Sequence, residues 1–216
     1  MPYAIFEKGS DALLLHDSPN PAPNPRRVRI FLAEKHVRIP TAPVSITAGE
    51  HKGADYLAVN PYGQTPSLAL DNGVVLTESV AICRYLEGLH PEPPLFGRGP
   101  LNVAQVDMWT RRVELRLMTP LSMVWAHTHP FTARVVKPQY TEFGESQRPR
   151  VVAAMKEFDR ALDGREWLDG ERYTIADIVL LTTLDFATFV GVPMPEELTA
   201  LAGWHARASA RPSAQA

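Results

Sequence analysis

The sequence predicts a small α/β domain followed by an all-helical domain. Before residue 90, short apolar runs typical of strands alternate with helical periodicity in the order β-α-β, a short helix, then β-β-α. Beyond residue 100, every periodic segment has helical spacing. The stretch between the two halves contains four prolines and is typical of a linker. We therefore expect domains at 11–89 and 101–216, joined by a linker at 90–100.

Local signals predict the elements of the first domain. Asn24 suits the N-cap of a helix, and Pro25 suits the first helical position. Asp71-Asn72-Gly73 between two apolar runs is a strong hairpin signal. The predicted elements are, in order, a strand at 13–15, a helix at 26–36, a strand at 43–46, a short helix at 52–59, strands at 67–70 and 74–76, and a helix at 78–89.

The helical domain contains two positions with a specific structural meaning. Pro120 predicts a kink or a break, because proline removes a hydrogen bond from a helix interior. Thr174 followed by Asp177 is a variant of the capping box at a helix start, and we assign it a structural role. The predicted helices span 103–125, 150–162, 175–190 and 196–209.

Composition bounds the class of protein. The 216 residues suffice for one large domain or two small ones, and 45% hydrophobic with 21% charged residues is typical of a soluble globular protein. A formal net charge of −2 provides no basic field for nucleic acid. No apolar run reaches the roughly 18 residues of a membrane span, and residues 1–10 lack the apolar core of a signal peptide. The single cysteine, Cys83, excludes an intramolecular disulfide and is expected in the core of a cytoplasmic protein.

Two short motifs in the first domain indicate a binding site. Residues 60–66 form a proline-containing turn that leads into a strand, and Glu78-Ser79 stands at the start of a helix. An exposed backbone at Thr65 and the free N–H groups of a helix start suit a small peptide-like ligand with a carboxylate. The alternatives are an ordinary turn proline at Pro66 and simple helix capping by Thr77 or Ser79.

These motifs, in this order and spacing, resemble those of the cytosolic glutathione transferase family. The resemblance covers nearly the whole chain. Within the family, the chain looks most like the fungal-type subfamily, which also has bacterial members. It implies a thioredoxin-like, glutathione-binding domain at 11–89 and a helical domain at 101–216 with a pocket for a hydrophobic substrate. The residues that carry it are Arg26-Arg27-Val28-Arg29-Ile30, Gly49-Glu50-His51-Lys52, Gln64-Thr65-Pro66, Glu78-Ser79, Pro120-Leu121-Ser122 and Thr174-Ile175-Ala176-Asp177.

The resemblance places the cysteinyl backbone and the γ-glutamyl end of glutathione in the first domain. It implies that the bond before Pro66 is cis and that Thr65 pairs with the cysteinyl backbone. It also implies that Ser79 and its N–H bind the γ-glutamyl carboxylate, while Glu78 binds the ammonium group.

The glycine end of glutathione has its own implied partners. His51 and Lys52 match family residues that hold the glycine carboxylate, and Gln64 faces the same end of the tripeptide. The alternative for His51 and Lys52 is a solvated charge pair.

The group that activates the thiol is an open question in this sequence. A free thiol has a pKa of about 8.5, so the site must favour the thiolate. The family usually supplies a tyrosine, serine or cysteine after the first strand, but the matching position is Ala22. Alanine excludes a mixed disulfide and a side-chain hydrogen bond. Ser18 and Asn24, in the same loop, are candidate donors instead.

The resembling subfamily suggests another route to the thiolate. It implies that the first helix, beginning near Pro25, contributes free N–H groups from Arg26 and Arg27. It also implies a water molecule held by a serine and a histidine of the second domain, for which Ser122 and His127 are the candidates.

The resemblance implies a homodimeric enzyme of detoxification that joins the glutathione thiolate to small hydrophobic electrophiles. Alternatives are glutathione-dependent reduction of peroxides or disulfides, and a non-catalytic binding or scaffold protein. No metal is expected, because His127 and His129 are two residues apart and diverge on a helix. Large apolar residues of the helical domain are candidates for the electrophile pocket or for the core: Trp109, Met118, Met123, Trp125 and Phe131.

Overall fold

The computed structural model describes residues 13–216, and these form two compact units. Residues up to Leu95 and the segment Pro212–Ala216 form the first unit, and Phe96–Arg211 forms the second. The sequence had instead predicted 101–216 as one helical domain. The expectation for residues 1–10 lies outside the described part of the chain.

A four-stranded mixed sheet organises the first unit. The strand order is β2-β1-β3-β4, with β1 and β2 parallel and the other two pairs antiparallel. This confirms the α/β prediction and the hairpin between β3 and β4. The elements are β1 (Leu14–Asp17), α1 (Pro23–Glu34), β2 (Thr41–Pro43), a 3₁₀ turn (Glu50–Lys52), α2 (Ala54–Val59), β3 (Ser67–Ala69), β4 (Val75–Leu76), α3 (Ser79–Leu89) and a 3₁₀ turn (Pro212–Gln215).

The core of the first unit lies between the sheet and the helices α1 and α3. Leu15 of β1 pairs in register with Leu68 of β3, and both side chains are fully buried. The apolar faces of the two helices contribute further fully buried residues: Val28, Ile30, Phe31, Ile82, Cys83 and Leu86. Burial raises the pKa of the Cys83 thiol, so this cysteine is an inert core residue, as predicted.

Helix α1 begins earlier than the sequence predicted. Its N-cap is Ala22 and its first residue is Pro23, so Asn24 is the second helical residue and not the N-cap. Proline is tolerated in the first turn because its missing N–H would have no partner there. The start of the helix therefore moves into the loop that the resemblance connects with the thiol.

The loop before α1 is fastened by one arginine of that helix. Arg29 Nη1 donates to Asp17 Oδ1 at 2.7 Å and to the Ser18 carbonyl at 2.9 Å. Its Nη2 donates to Asn20 Oδ1 at 2.6 Å. These bonds fix the path between β1 and the first turn of α1.

The second unit is helical throughout its regular structure, as predicted. Its elements are α4 (Gly99–Arg112), a π-helical segment (Val113–Met118), α5 (Thr119–Thr128), a 3₁₀ turn (Thr132–Arg134), α6 (Thr141–Leu162), α7 (Ile175–Phe189) and α8 (Thr199–Ser209). In residues 13–216, no helix combines the length and apolar character that crossing a membrane requires.

Two prolines explain how these helices differ from the prediction. Pro120 cannot donate to the carbonyl four residues earlier, and the six residues before Thr119 adopt π-helical spacing. Thr119 closes that turn with a hydroxyl bond of 2.9 Å to the Glu114 carbonyl. Pro149 lies inside α6, whereas the sequence predicted a helix only after this proline, at 150–162. Burial of residues such as Val151 and Met155 keeps the helix intact across the proline.

The capping box at the start of α7 is present, which confirms that prediction. Asp177 is fully buried and accepts hydrogen bonds from the Thr174 N–H and hydroxyl at 2.9 and 3.0 Å. It also accepts from the Leu168 N–H and from Trp204 Nε1, both at 3.0 Å. This carboxylate therefore joins α7 and α8 to the segment between α6 and α7.

Candidate functional site

A cleft in the first unit brings together the 60–66 turn, the start of α1 and the start of α3. It contains four of the predicted glutathione-binding residues and one predicted thiol donor. Its wall also contains Asn60, Tyr62 and Thr77, which belong to the two predicted motifs but had no predicted ligand contact. The full lining consists of Asn24, Asn60, Tyr62, Gln64, Thr65, Pro66, Thr77, Glu78 and Ser79.

Thr65 presents unpaired backbone groups to this cleft. The Thr65–Pro66 bond is cis, as the resemblance implied. The pairing of β3 with β1 begins at Ser67, and the Thr65 N–H and C=O make no hydrogen bond within residues 13–216. An extended peptide can therefore pair with both groups as an added strand would.

The start of α3 offers three further donors. The first helical bond runs from Ile82 N–H to the Glu78 carbonyl, so the N–H groups of residues 79–81 have no acceptor in the described part of the chain. Within residues 13–216 the Glu78 side chain makes no capping bond, which leaves these donors available to a ligand anion. Its φ of 64° lies in a region that costs a non-glycine residue about 1–3 kcal/mol and that is common at ligand sites.

A buried arginine connects the two helix starts. Arg27 is 3% exposed, and its Nη1 lies 2.7 Å from Asn24 Oδ1 and 3.5 Å from Ser79 Oγ. It thus brings a positive charge beneath the N-termini of α1 and α3, where the helix dipoles also favour an anion. No local pattern predicts the contact of Arg27 with Ser79, because the two residues lie on different helices.

The available N–H group of α1 differs from the expectation. Arg26 N–H donates to the Ala22 carbonyl at 3.4 Å, and Arg27 lies beyond the first turn. Pro23 and Pro25 have no N–H. Within residues 13–216, the Asn24 N–H makes no hydrogen bond, so this group replaces the two arginines as the unpaired donor of the first turn.

Ser18 lies beneath the cleft instead of in its wall. It is 1% exposed, and its hydroxyl donates to the Val44 carbonyl at 2.8 Å. The same oxygen lies 2.8 Å from Thr65 Oγ1. The hydroxyl proton is therefore already engaged, and the contact of Ser18 is with the Thr65 side chain.

His51 and Lys52 lie beside the cleft and do not form its wall. Lys52 Nζ donates to the carbonyl of Tyr62, a wall residue, at 3.1 Å. His51 Nδ1 is buried and has no hydrogen-bond partner among residues 13–216. Burial, and secondarily the charge of Lys52, lower the pKa of His51.

The two candidates in the helical unit do not form a joint site within α5. Ser122 Oγ donates to the Thr119 carbonyl at 2.7 Å. His127 Nδ1 accepts from the Tyr140 N–H at 3.2 Å, and its ring packs 5.4 Å from that of Phe143. Five helical residues separate the two side chains by roughly 140° around the axis, so they point in different directions.

The aromatic residues proposed for the electrophile pocket divide into separate groups. Trp109 faces Phe158 across a groove between α4 and α6, with the Arg112 guanidinium 4.6 Å from its ring centre. Trp125 stacks with His129 at 4.2 Å and with Phe131 at 6.0 Å, at the end of α5. In residues 13–216, no three His, Cys, Asp or Glu side chains are placed to hold a metal ion.

Comparisons with known proteins identify the family. A model of the glutathione S-transferase N-terminal domain matches residues 22–89, and one of the C-terminal domain matches residues 107–207. Glutathione S-transferase 2 of Saccharomyces cerevisiae is 36% identical over 210 residues, covering 96% of this chain and 90% of that protein. The chain belongs to the glutathione S-transferase family.

Solved structures agree with this assignment and with the fungal-type resemblance. The crystal structure of Gtt2 from S. cerevisiae is 36% identical, with a TM-score of 0.87 over 94% of this chain and 98% of that one. A glutathione S-transferase domain-containing protein of Marinobacter aquaeolei is 35% identical, with a TM-score of 0.87 over 93% and 98%. The protein is thus an enzyme of the glutathione transferase class, with the family's mixed α/β and helical units.

Proposed function

We propose that this glutathione S-transferase joins the thiolate of glutathione to small hydrophobic electrophiles. The observation that carries the proposal is the cleft lined by Thr65 and Ser79, because within residues 13–216 the Thr65 backbone is unpaired and the Ser79 N–H is the first of three helix N–H groups without an acceptor. A γ-glutamyl peptide has an amide backbone that can pair with Thr65 and a carboxylate that can accept from the N–H groups at the start of α3. Thiolate stabilisation and the proximity of the two reactants would supply the rate acceleration.

Glutathione would lie along this cleft with its γ-glutamyl end at α3. Ser79 and the adjacent N–H groups would bind the carboxylate, and Glu78 would bind the ammonium group. Thr65 would pair with the cysteinyl backbone. Gln64, together with His51 and Lys52 at the side of the cleft, would take the glycine carboxylate.

The thiol would be activated by Asn24 at the start of α1. Arg27 occupies the Asn24 side-chain oxygen, which leaves the amide Nδ2 and the backbone N–H as donors. Ser18 is a weaker candidate, because its proton goes to the Val44 carbonyl. Ser122 and His127 point in different directions on α5, so at most one of them would hold a water molecule for the thiol. His127 would do so through Nε2, since Nδ1 has a partner.

The direct test is conjugation of glutathione to a chlorodinitrobenzene-type electrophile, with the Asn24→Ala variant beside the wild type. Loss of the Asn24 amide should raise the thiol pKa of bound glutathione by about one unit, equivalent to about 1.4 kcal/mol. The alkaline shift appears in a pH titration of thiolate absorbance. Asn72→Ala, in the exposed hairpin turn, is the matched control. An unchanged pKa in Asn24→Ala would assign activation elsewhere.

The alternatives give different results in the same assays. A glutathione-dependent reductase would turn over hydroperoxides or disulfides faster than it conjugates electrophiles; Ala22 excludes a cysteine at the family's usual position for this chemistry. A scaffold protein would show no glutathione binding by calorimetry.

We further propose a cytoplasmic homodimer with a role in detoxification. Leu101, Met108 and Leu115 recur every seven residues along α4 and the π-helical segment and are exposed by 73%, 39% and 67%. Such a stripe is typical of a surface that another subunit covers. Sedimentation equilibrium at several concentrations tests this, and a monomer at all of them would contradict it.

A further inference from the structure

Tyr56 is the one buried residue of the short helix α2, and its hydroxyl faces the segment that carries Thr65. The hydroxyl donates to the Gln64 carbonyl at 2.7 Å. It also lies 3.1 Å from Ser67 Oγ. The single side chain therefore spans Thr65 and Pro66, with one contact before them and one after.

The direction of these hydrogen bonds follows from the chemistry of the partners. A carbonyl only accepts, so the Tyr56 proton goes to Gln64. Ser67 must then donate to the Tyr56 oxygen. Both hydroxyl-bearing side chains are buried, at 6% and 0% exposure, so neither contact is exchanged for water at low cost.

A second buried donor meets the same carbonyl. Asn60, one helical turn after Tyr56, donates from Nδ2 to the Gln64 oxygen at 2.7 Å. Asn60 is 1% exposed, and its own N–H donates to the Tyr56 carbonyl at 2.8 Å. The Tyr56 hydroxyl and the Asn60 amide thus occupy both acceptor sites of the Gln64 carbonyl, and the backbone bond between Asn60 and Tyr56 holds the two donors together.

Holding the Gln64 carbonyl also fixes the Thr65 N–H. The two groups belong to one planar trans peptide unit, in which the C=O and N–H point in opposite directions. Donors that hold the carbonyl on the buried side therefore direct the N–H away from them. The Thr65 N–H makes no hydrogen bond within residues 13–216, and Thr65 lines the cleft.

We propose that Tyr56 is a positioning residue for glutathione, which aims the Thr65 N–H at the ligand's cysteinyl carbonyl. The inference rests on the proposed function and adds a residue that does not line the cleft. Its effect is on binding: the contact is formed equally with the bound substrate and in the transition state, so KM changes and kcat does not.

The test removes one oxygen atom. Tyr56→Phe should weaken glutathione binding about threefold to tenfold by calorimetry, the range for one buried hydrogen bond. KM for glutathione should rise by the same factor, with kcat retained. Asn72→Ala is the control, because Asn72 lies in the exposed hairpin turn of the same unit and does not line the cleft; it should bind as the wild type does.

Two further measurements separate positioning from general destabilisation. Tyr56→Phe leaves the Ser67 hydroxyl without its buried partner, and adding Ser67→Ala removes that group. The double variant should recover stability to urea but not glutathione affinity. In addition, a glutathione analogue with a methylene in place of the cysteinyl carbonyl should bind wild type and Tyr56→Phe equally.

The outcomes distinguish this inference from the proposed function. Glutathione binding that is equal in wild type and Tyr56→Phe overturns the positioning role alone, as does recovery of affinity on adding Ser67→Ala. A wild type that does not bind glutathione overturns the function and this inference with it.

Discussion

Replacing Asp177 by asparagine should destabilise the helical unit far more than its small change in shape suggests. The buried carboxylate accepts four hydrogen bonds, two on each oxygen. One oxygen accepts from the Leu168 N–H and from Trp204 Nε1, and the other accepts from the Thr174 N–H and hydroxyl. An ionised carboxylate has acceptor sites for all four donors.

An asparagine side chain at position 177 can satisfy only some of these four donors. Its oxygen can retain Leu168 and Trp204, but its NH₂ group then faces the donors of Thr174. The Thr174 hydroxyl can rotate and accept, whereas the backbone N–H cannot and is left without an acceptor. An unsatisfied buried donor costs about 1–3 kcal/mol. With the weakened charge-assisted bonds to the other partners, we expect a loss of about 2–4 kcal/mol in the free energy of unfolding.

Urea unfolding followed by circular dichroism measures this loss. Asp159→Asn is the matched control, because Asp159 also accepts from a helix N–H, that of Leu201, through one oxygen at 3.0 Å. Asparagine keeps such an oxygen, so Asp159→Asn should change the free energy of unfolding by less than about 0.5 kcal/mol. Equal losses in the two variants would refute the argument from the number of donors.

Three further results are expected. Because burial and Lys52 lower the pKa of His51 below 6.5, its imidazole is neutral at neutral pH and becomes a charged partner for a carboxylate only when protonated. Glutathione binding should therefore tighten as the pH falls through that lowered pKa, and calorimetry of His51→Gln should show no such dependence. A Cβ at Gly144 would lie 2.9 Å from His127 Cβ and still closer to Thr128, so Gly144→Ala should lower the free energy of unfolding by about 1–3 kcal/mol. Gly88→Ala is its control, because within residues 13–216 the added Cβ would meet no atom within 4 Å beyond its chain neighbours and its own helix backbone; it should be neutral or stabilising in thermal unfolding. Ser79→Ala should weaken glutathione binding about tenfold, the value of one bond to a charged group; an unaltered dissociation constant would contradict the γ-glutamyl assignment.

Features with a local cause were predictable from sequence. The hairpin between β3 and β4 follows from the turn chemistry of Asp71-Asn72-Gly73, and the start of α7 follows from Thr174 and Asp177. The cleft was predictable for the same reason, since the 60–66 turn and Glu78-Ser79 are short contiguous motifs.

Features that depend on tertiary contacts were not predictable. The first half of α6 lies before Pro149, which opposes helix formation, and packing of the apolar face overrides that local preference. The contacts of Arg27 with Ser79, and of Tyr56 with Gln64, join a helix to a position outside it. No pattern of a single segment specifies such pairs.

The start of α1 shows how an apparent deficiency can specify a site. Ala22 removes the side chain that the family usually provides, and Pro23 and Pro25 remove two of the N–H groups that a helix start would offer. Because Arg26 N–H bonds to the Ala22 carbonyl, the first turn keeps one N–H without a partner in the described part of the chain, at Asn24. The same residue has its side-chain oxygen held by Arg27, which turns the amide into a pure donor. A sequence that lacks the usual thiol-activating group thus concentrates two donors on one residue of the cleft, and this concentration is the physical reason to look for activation there.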